Sequence, residues 1–215
     1  MILDLFQLNG RTALVTGARR GLGRGIAVGL AEAGADIACV SRSGEATETR
    51  QQVEATGRRF LDIQVDLADP EARGGLLDRV REELGPVDIL VNNAGRTAGH
   101  PFEQTTEEIW QEDFELKFWA AVRTARLVVP HMQTLGRGAI VNITHPGGKS
   151  PGSASVPTSV SRAAGIAFTK ALSKDLAAHR IRVNTVSLTN IKSAQGDRAW
   201  RPSGGPLSSE EWCAK

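Results

Sequence analysis

The chain has 215 residues, 40% of them hydrophobic and 23% charged, with a formal net charge of +2. That balance fits one globular domain with a single core and excludes a disordered chain. The charge is too mild and too scattered for nucleic acid as a partner, and the apolar runs are too short for a membrane span or a signal-peptide core, so a cytoplasmic protein is expected.

In chain order, the first apolar run, 12–16, reads as a strand. It leads into Thr16-Gly17-Ala18-Arg19-Arg20-Gly21-Leu22-Gly23 and a helical segment over 24–33 that stops at Gly34. A glycine loop between a strand and a helix is the context for binding a dinucleotide. Its glycines allow a tight turn, close approach of the pyrophosphate and close helix packing, with the phosphates at the helix N-terminus. Gly17, Arg19, Arg20, Gly21, Leu22 and Gly23 are therefore candidate cofactor residues.

A second strand is expected at 36–41 and ends in Ser41, Arg42 and Ser43. An NAD site places an acid here to hold the ribose 2′-hydroxyl. None is present, whereas Arg42 and Arg20 offer cations for a 2′-phosphate, so NADP is expected over NAD. A third strand at 59–66 ends at Asp66-Leu67, and Asp69-Pro70 is expected to open a helix. A fourth, at 87–92, ends in Asn92-Asn93-Ala94-Gly95. Asp66, Leu67, Asn93, Ala94 and Gly95 join the cofactor set, because open α/β sheets bind ligands at the carboxyl ends of their strands.

The longest helix is expected over 106–135, with Trp110, Phe114, Phe118 and Ala121 at helical spacing and Pro130 as a kink or early stop. Strands at 138–144 and 182–188 follow, separated by a helix over 162–179. Such alternation implies a doubly wound α/β fold with a parallel sheet covered on both faces. The cysteines, Cys39 and Cys213, share no motif, and the histidines have no metal-ligand spacing, so neither a disulfide nor a metal site is expected.

The spacing TGxxxGxG, the strand-terminal Asp66 and the NNAG run together resemble the short-chain dehydrogenase/reductase family of nucleotide-dependent oxidoreductases. The resemblance covers nearly the whole chain and implies a single Rossmann-like domain over 1–193. Beyond it, 194–215, with Trp200 and Trp212, reads as a substrate-loop or lid segment, and the family's final helix and strand are expected to be lacking. The family uses Asn, Ser, Tyr and Lys, the tyrosine exchanging a proton with the substrate oxygen. The chain contains no tyrosine.

By register, Lys117 falls at the asparagine, His145 at the serine, Thr158 at the tyrosine and Arg162 at the lysine. The usual mechanism cannot run on these residues, since an aliphatic hydroxyl titrates far above a phenol. His145 becomes the candidate acid/base, because an imidazole titrates near neutrality. Thr158 is expected to orient the substrate oxygen, Arg162 to hold the nicotinamide ribose, and Lys117 to supply charge or a water relay. Leu188-Thr189 replaces the family's Pro-Gly turn, and Ile191 offers backbone contacts to the carboxamide. Arg96, Lys149, Lys192 and Arg198 are placed near the pocket, and the substrate is a small carbonyl or alcohol of unspecified type. The family also implies a homodimer or homotetramer through the two long helices. A catalytically inactive nucleotide-binding scaffold, or a partner subunit for an active relative, stays open beside the enzyme.

Overall fold

The computed structural model describes residues 2–69, 71–96, 98–189 and 191. Its centre is a six-stranded parallel sheet of β1 (Thr12–Thr16), β2 (Asp36–Ser41), β3 (Phe60–Gln64), β4 (Val87–Asn92), β6 (Gly138–Thr144) and β8 (Ile181–Ser187), in the order β3-β2-β1-β4-β6-β8. The order reverses between β1 and β4, which opens a crevice beyond their carboxyl ends. Two-residue strands β5 (Gly99–His100) and β7 (Val156–Pro157) pair antiparallel to each other.

Alternation along the strands divides the core into two layers. Leu14, Val40, Leu90 and Ile140 pack beneath α3 (Leu76–Glu83), α5 (Ala120–Leu135) and α6 (Thr158–Asp175). Ala13, Val15, Ile37, Cys39 and Val91 pack beneath α1 (Gly21–Glu32) and α2 (Thr47–Glu54). Burial pushes the Cys39 thiol up to about 12, which makes it an inert packing residue. On this second face, among the described residues, Ile143 is half-buried and Val186 is 42% exposed, so coverage thins toward β8.

The expected strands at 12–16, 36–41, 87–92 and 138–144 have the observed bounds; the third is shorter and the last begins one residue earlier. Helix α1 starts at Gly21, ahead of the expected 24, because the glycine turn itself feeds its first turn. The helix expected from Asp69-Pro70 begins only at Leu76. Asp69 accepts the N–H groups of Glu71 (2.8 Å) and Ala72 (3.3 Å) like a helix cap, but Gly75 at φ 75° breaks the run.

The long helix is three pieces in line: α4 (Glu107–Phe114), capped by Thr106, a π-helical turn (Glu115–Trp119), and α5. Pro130 does not end it; α5 runs to Leu135 and closes at Gly136 with φ 61°. Helix α6 begins at Thr158, four residues before the expected start, and a 3-10 turn (Ala177–His179) follows it. No helix among the described residues is long and apolar enough to cross a membrane. The segment 194–215, with its expected lid role, lies outside the described residues, as do Lys192 and Arg198.

At the opposite rim from the crevice, the Asp88 carboxylate is 5% exposed and accepts from Arg11 Nη1 (3.0 Å), Arg137 Nε (2.9 Å) and the Thr12 N–H (3.2 Å). It ties β1 and β4 to the loop that enters β6. Asp88→Ala should lower the unfolding free energy by about 2–3 kcal/mol in urea melts, the scale of charge-assisted hydrogen bonds lost from a buried site.

Candidate active site and cofactor crevice

The glycine loop is built against the end of β4. Gly17 has φ 68°, and a Cβ on Gly23 would stand 2.3 Å from the Gly17 carbonyl oxygen and 2.5 Å from Asn93 Nδ2, so only glycine fits there. Asn93 Nδ2 donates to the carbonyls of Thr16 (3.0 Å) and Gly17 (3.4 Å), and the backbone N–H groups of Asn93 and Ala94 donate to Thr16 Oγ1 (3.0 and 3.1 Å). The N-cap residue Arg20 makes no side-chain cap bond, so the first N–H groups of α1 open into the crevice, where an anion is favoured.

At the end of β2, Ser41 is buried and its hydroxyl donates to the Gly44 carbonyl (3.4 Å). A Cβ on Gly44 would lie 3.3 Å from Arg19 Nη1, which brings Arg19 across to this strand end. Arg20 and Arg42 are exposed, and neither has an acidic partner among the described residues. Ser43 is exposed, Leu67 is buried, and Asp66 Oδ1 accepts the Ala68 N–H (2.9 Å), shaping the turn beyond β3. Ile191 is half-buried just beyond β8.

The chemical residues come together from three elements. Lys117 lies in the π-turn, its side chain fully enclosed, and its ammonium donates to Asp113 Oδ1 and to Thr158 Oγ1. Asp113 Oδ2 accepts from Ser161 Oγ (2.5 Å), so one buried carboxylate joins α4, the π-turn and α6. Burial pulls Lys117 down to about 8; Asp113 opposes that fall, while Arg162 and Arg96 add to it. Arg162 donates to the Ile143 carbonyl (2.8 Å), and its Nη2 reaches within 3.1 Å of where a Gly95 Cβ would stand. Arg162 thus spans from α6 to the end of β4.

His145 follows β6, and its Nδ1 accepts the Gly147 N–H (3.0 Å). That bond fixes the tautomer: the lone pair is spent and Nε2 carries the proton. Burial, and then Arg162, lowers its pKa, which favours the neutral ring. A neutral imidazole with an Nε2–H donates a hydrogen bond but is a poor acid. Arg96 pairs with Glu112, and Lys149 is exposed at the end of the 3-10 turn after His145.

Asp113 and Ser161 are the site residues that pattern reading passed over. A signal was available: Asp113 and Lys117 are four apart on the face that also carries Trp110, Phe114 and Phe118, and opposite charges on an apolar helix face are expected to pair.

The model of the short chain dehydrogenase family matches residues 11–202. The chain belongs to that family. Members are oxidoreductases, and several relatives are named for such activities. The 2-dehydro-3-deoxy-D-gluconate 5-dehydrogenase of Dickeya dadantii is 36% identical over 188 residues, 87% of this chain and 74% of the relative. The L-sorbose reductase of Gluconobacter frateurii, solved with NADPH and L-sorbose, superposes with a TM-score of 0.88 at 32% identity, over 96% of this chain and 80% of that one. An NAD+-bound xylitol dehydrogenase superposes with a TM-score of 0.85 at 28% identity, over 92% and 78%. Nicotinamide cofactors thus occur on both sides of the NAD/NADP choice among short-chain dehydrogenases of this shape.

Two outcomes follow from the geometry. Gly23→Ala should weaken nicotinamide-cofactor binding by tenfold or more in a titration and cost about 1–3 kcal/mol of stability, because the methyl meets backbone rather than a flexible side chain. Asp113→Ala should cost about 3–5 kcal/mol in a denaturant melt, since it leaves the Lys117 ammonium buried without its anion.

Proposed function

We propose that this short-chain dehydrogenase interconverts a small polar carbonyl and its alcohol using NADP(H). The observation that carries the cofactor choice is the end of β2: no acid closes it, Arg19 leans over Gly44, and Arg42 and Arg20 are cations without acidic partners among the described residues. A 2′-phosphate supplies the anion such a cluster lacks. The rest of the crevice fits the cofactor, since Gly17, Gly21, Leu22 and Gly23 wrap the open start of α1, and Asn93, Ala94 and Gly95 line the neighbouring strand end. Bound there, the nicotinamide supplies or accepts the hydride.

The chain's own residues then handle the oxygen. In this reading Thr158 stands at the family's tyrosine position and His145 at its serine, and both present hydrogen-bond donors to a substrate oxygen. Arg162 holds the nicotinamide ribose in place of the family's lysine, and Ile191 offers backbone contacts to the carboxamide. The relatives' names direct the substrate search toward keto-sugars and keto-sugar acids. The proposal extends to a cytoplasmic protein that self-associates as a dimer or tetramer through the long helix and α6, where Trp119 of the π-turn is 44% and Val160 of α6 42% exposed.

The engaged Nδ1 of His145 favours one rival, a scaffold that binds nucleotide and performs no chemistry. The two separate in one assay series. Calorimetric titration should show tighter binding of NADPH than NADH, with Arg42→Ala weakening NADPH roughly 10- to 100-fold and leaving NADH unchanged. A panel of keto-sugars should then oxidise the bound NADPH, and His145→Ala should lower kcat/KM about tenfold. Binding without consumption across the panel selects the scaffold, and binding of neither nucleotide removes both.

A further inference from the structure

With no phenol in the chain, the reaction proposed above needs another source for the proton that joins the carbonyl oxygen. We infer that Lys117 is that source and that the Thr158 hydroxyl passes its proton on. The inference rests on the oxidoreductase reading and assigns a part of it that His145, with Nδ1 occupied, leaves unfilled.

The geometry is specific. Lys117 Nζ donates to Thr158 Oγ1, so the hydroxyl oxygen is an acceptor on that side and its own O–H is free to point elsewhere. Thr158 is half-buried at the first turn of α6, beside the enclosed ammonium. The hydroxyl need not ionise: one proton leaves as another arrives, which avoids the alkoxide that makes an aliphatic alcohol a poor acid.

Lys117 also lines a cavity of about 30 Å³, together with Asn142, Thr144, Ser161, Arg162 and Thr185. Among these, the Thr144 and Thr185 hydroxyls are buried with no protein partner. Leu116, Ala120, Ala121, Ile143 and Phe168 make the lining mixed, and a cavity of this size with these polar groups admits about one water, which gives the amine a route by which to regain its proton.

The step balances. A bound reduced nicotinamide would supply the hydride to the carbonyl carbon and be oxidised as its own C–H bond breaks, which would leave the π pair on the oxygen. The Thr158 O–H bond breaks as its proton bonds to that oxygen, and a proton from Lys117 Nζ restores the hydroxyl. Lys117 is left neutral and takes a proton from water; in the oxidation direction each transfer reverses. The charged and titratable groups facing the ammonium are Asp113 from α4, Arg162 from α6 and Arg96 from the loop after β4. The two arginines and the enclosure bring its ordinary, very weak acidity into a useful range, and Asp113 stops it from falling further.

The test reads the amine directly and separately from turnover. The chain has six lysines, so a sample labelled at lysine Cε gives a short NMR titration in which Lys117→Met identifies the resonance. Lys117 should titrate near pH 8. For reduction, the protonated amine is the working form, so kcat/KM should be flat below that midpoint and fall tenfold per pH unit above it. Asp113→Asn should move the NMR midpoint and the kinetic break down together, which a purely structural pair would not do. Lys117→Arg keeps the cation but holds its proton, so it should fold and bind NADPH while losing 10²-fold or more in turnover.

A Lys117 midpoint at the ordinary lysine value overturns the inference whatever the chain reduces. So does wild-type turnover in Lys117→Arg, or a kinetic break that stays in place in Asp113→Asn. A midpoint near 8 in a chain that binds NADPH and reduces nothing in the panel instead sinks the oxidoreductase reading, and proton delivery with it.

Discussion

Two adjacent asparagines at the end of β4 hold the molecule's working parts in relation to one another. Because successive side chains on a strand face opposite ways, Asn92 and Asn93 enter different layers. Asn93 clasps the Thr16-Gly17 turn and thereby sets the shape of the glycine loop. Asn92 accepts from Thr124 of α5 (2.7 Å) and donates to Asn142 of β6 (2.8 Å), which in turn donates to Thr169 of α6 (2.8 Å). This buried chain of amides and hydroxyls crosses the sheet from one long helix to the other. Its groups are costly to bury unpaired, so it fixes the helix positions more sharply than apolar contact does.

The placement of Lys117 against Thr158 depends on that spacing. The two residues are 41 positions apart in sequence and sit on different helices, yet one hydrogen bond joins them. The Asp113–Lys117 pair contributes little net stability for the reasons that apply to any enclosed ion pair: desolvation offsets most of the attraction. What it does supply is a charge held at a defined point, with both carboxylate oxygens and at least two ammonium protons committed to named partners.

Much of the scaffold was legible in the amino-acid order, because parallel strands buried on both faces leave continuous apolar runs bounded by turn residues. The four strands with the cleanest runs have the expected limits, and the glycine loop, Asp66 and the NNAG segment all lie at strand ends around the crevice. The errors trace to local chemistry that pattern alone underweights. Gly74-Gly75 overrode the capping signal of Asp69, and Pro130 was absorbed within a helix held by burial of Ala125, Val128 and Met132. The π-turn has no residue signature at all, although it lies in the stretch that carries Lys117. At His145 the sequence shows only the residue type; the tautomer depends on Gly147, two residues away, and on which ring nitrogen its N–H reaches.

The aromatic residues along the long helix have an optical consequence. Trp110 stacks at 6.3 Å on Phe114, and Trp119 lies edge-on to Phe118 at 5.2 Å with Arg123 over its ring, so these two indoles bracket the π-turn. In a chain with four tryptophans and no tyrosine, near-ultraviolet emission is indole emission alone. Any movement of the turn that carries the buried ammonium alters the surroundings of Trp119 directly, which gives the molecule an intrinsic light signal at that turn.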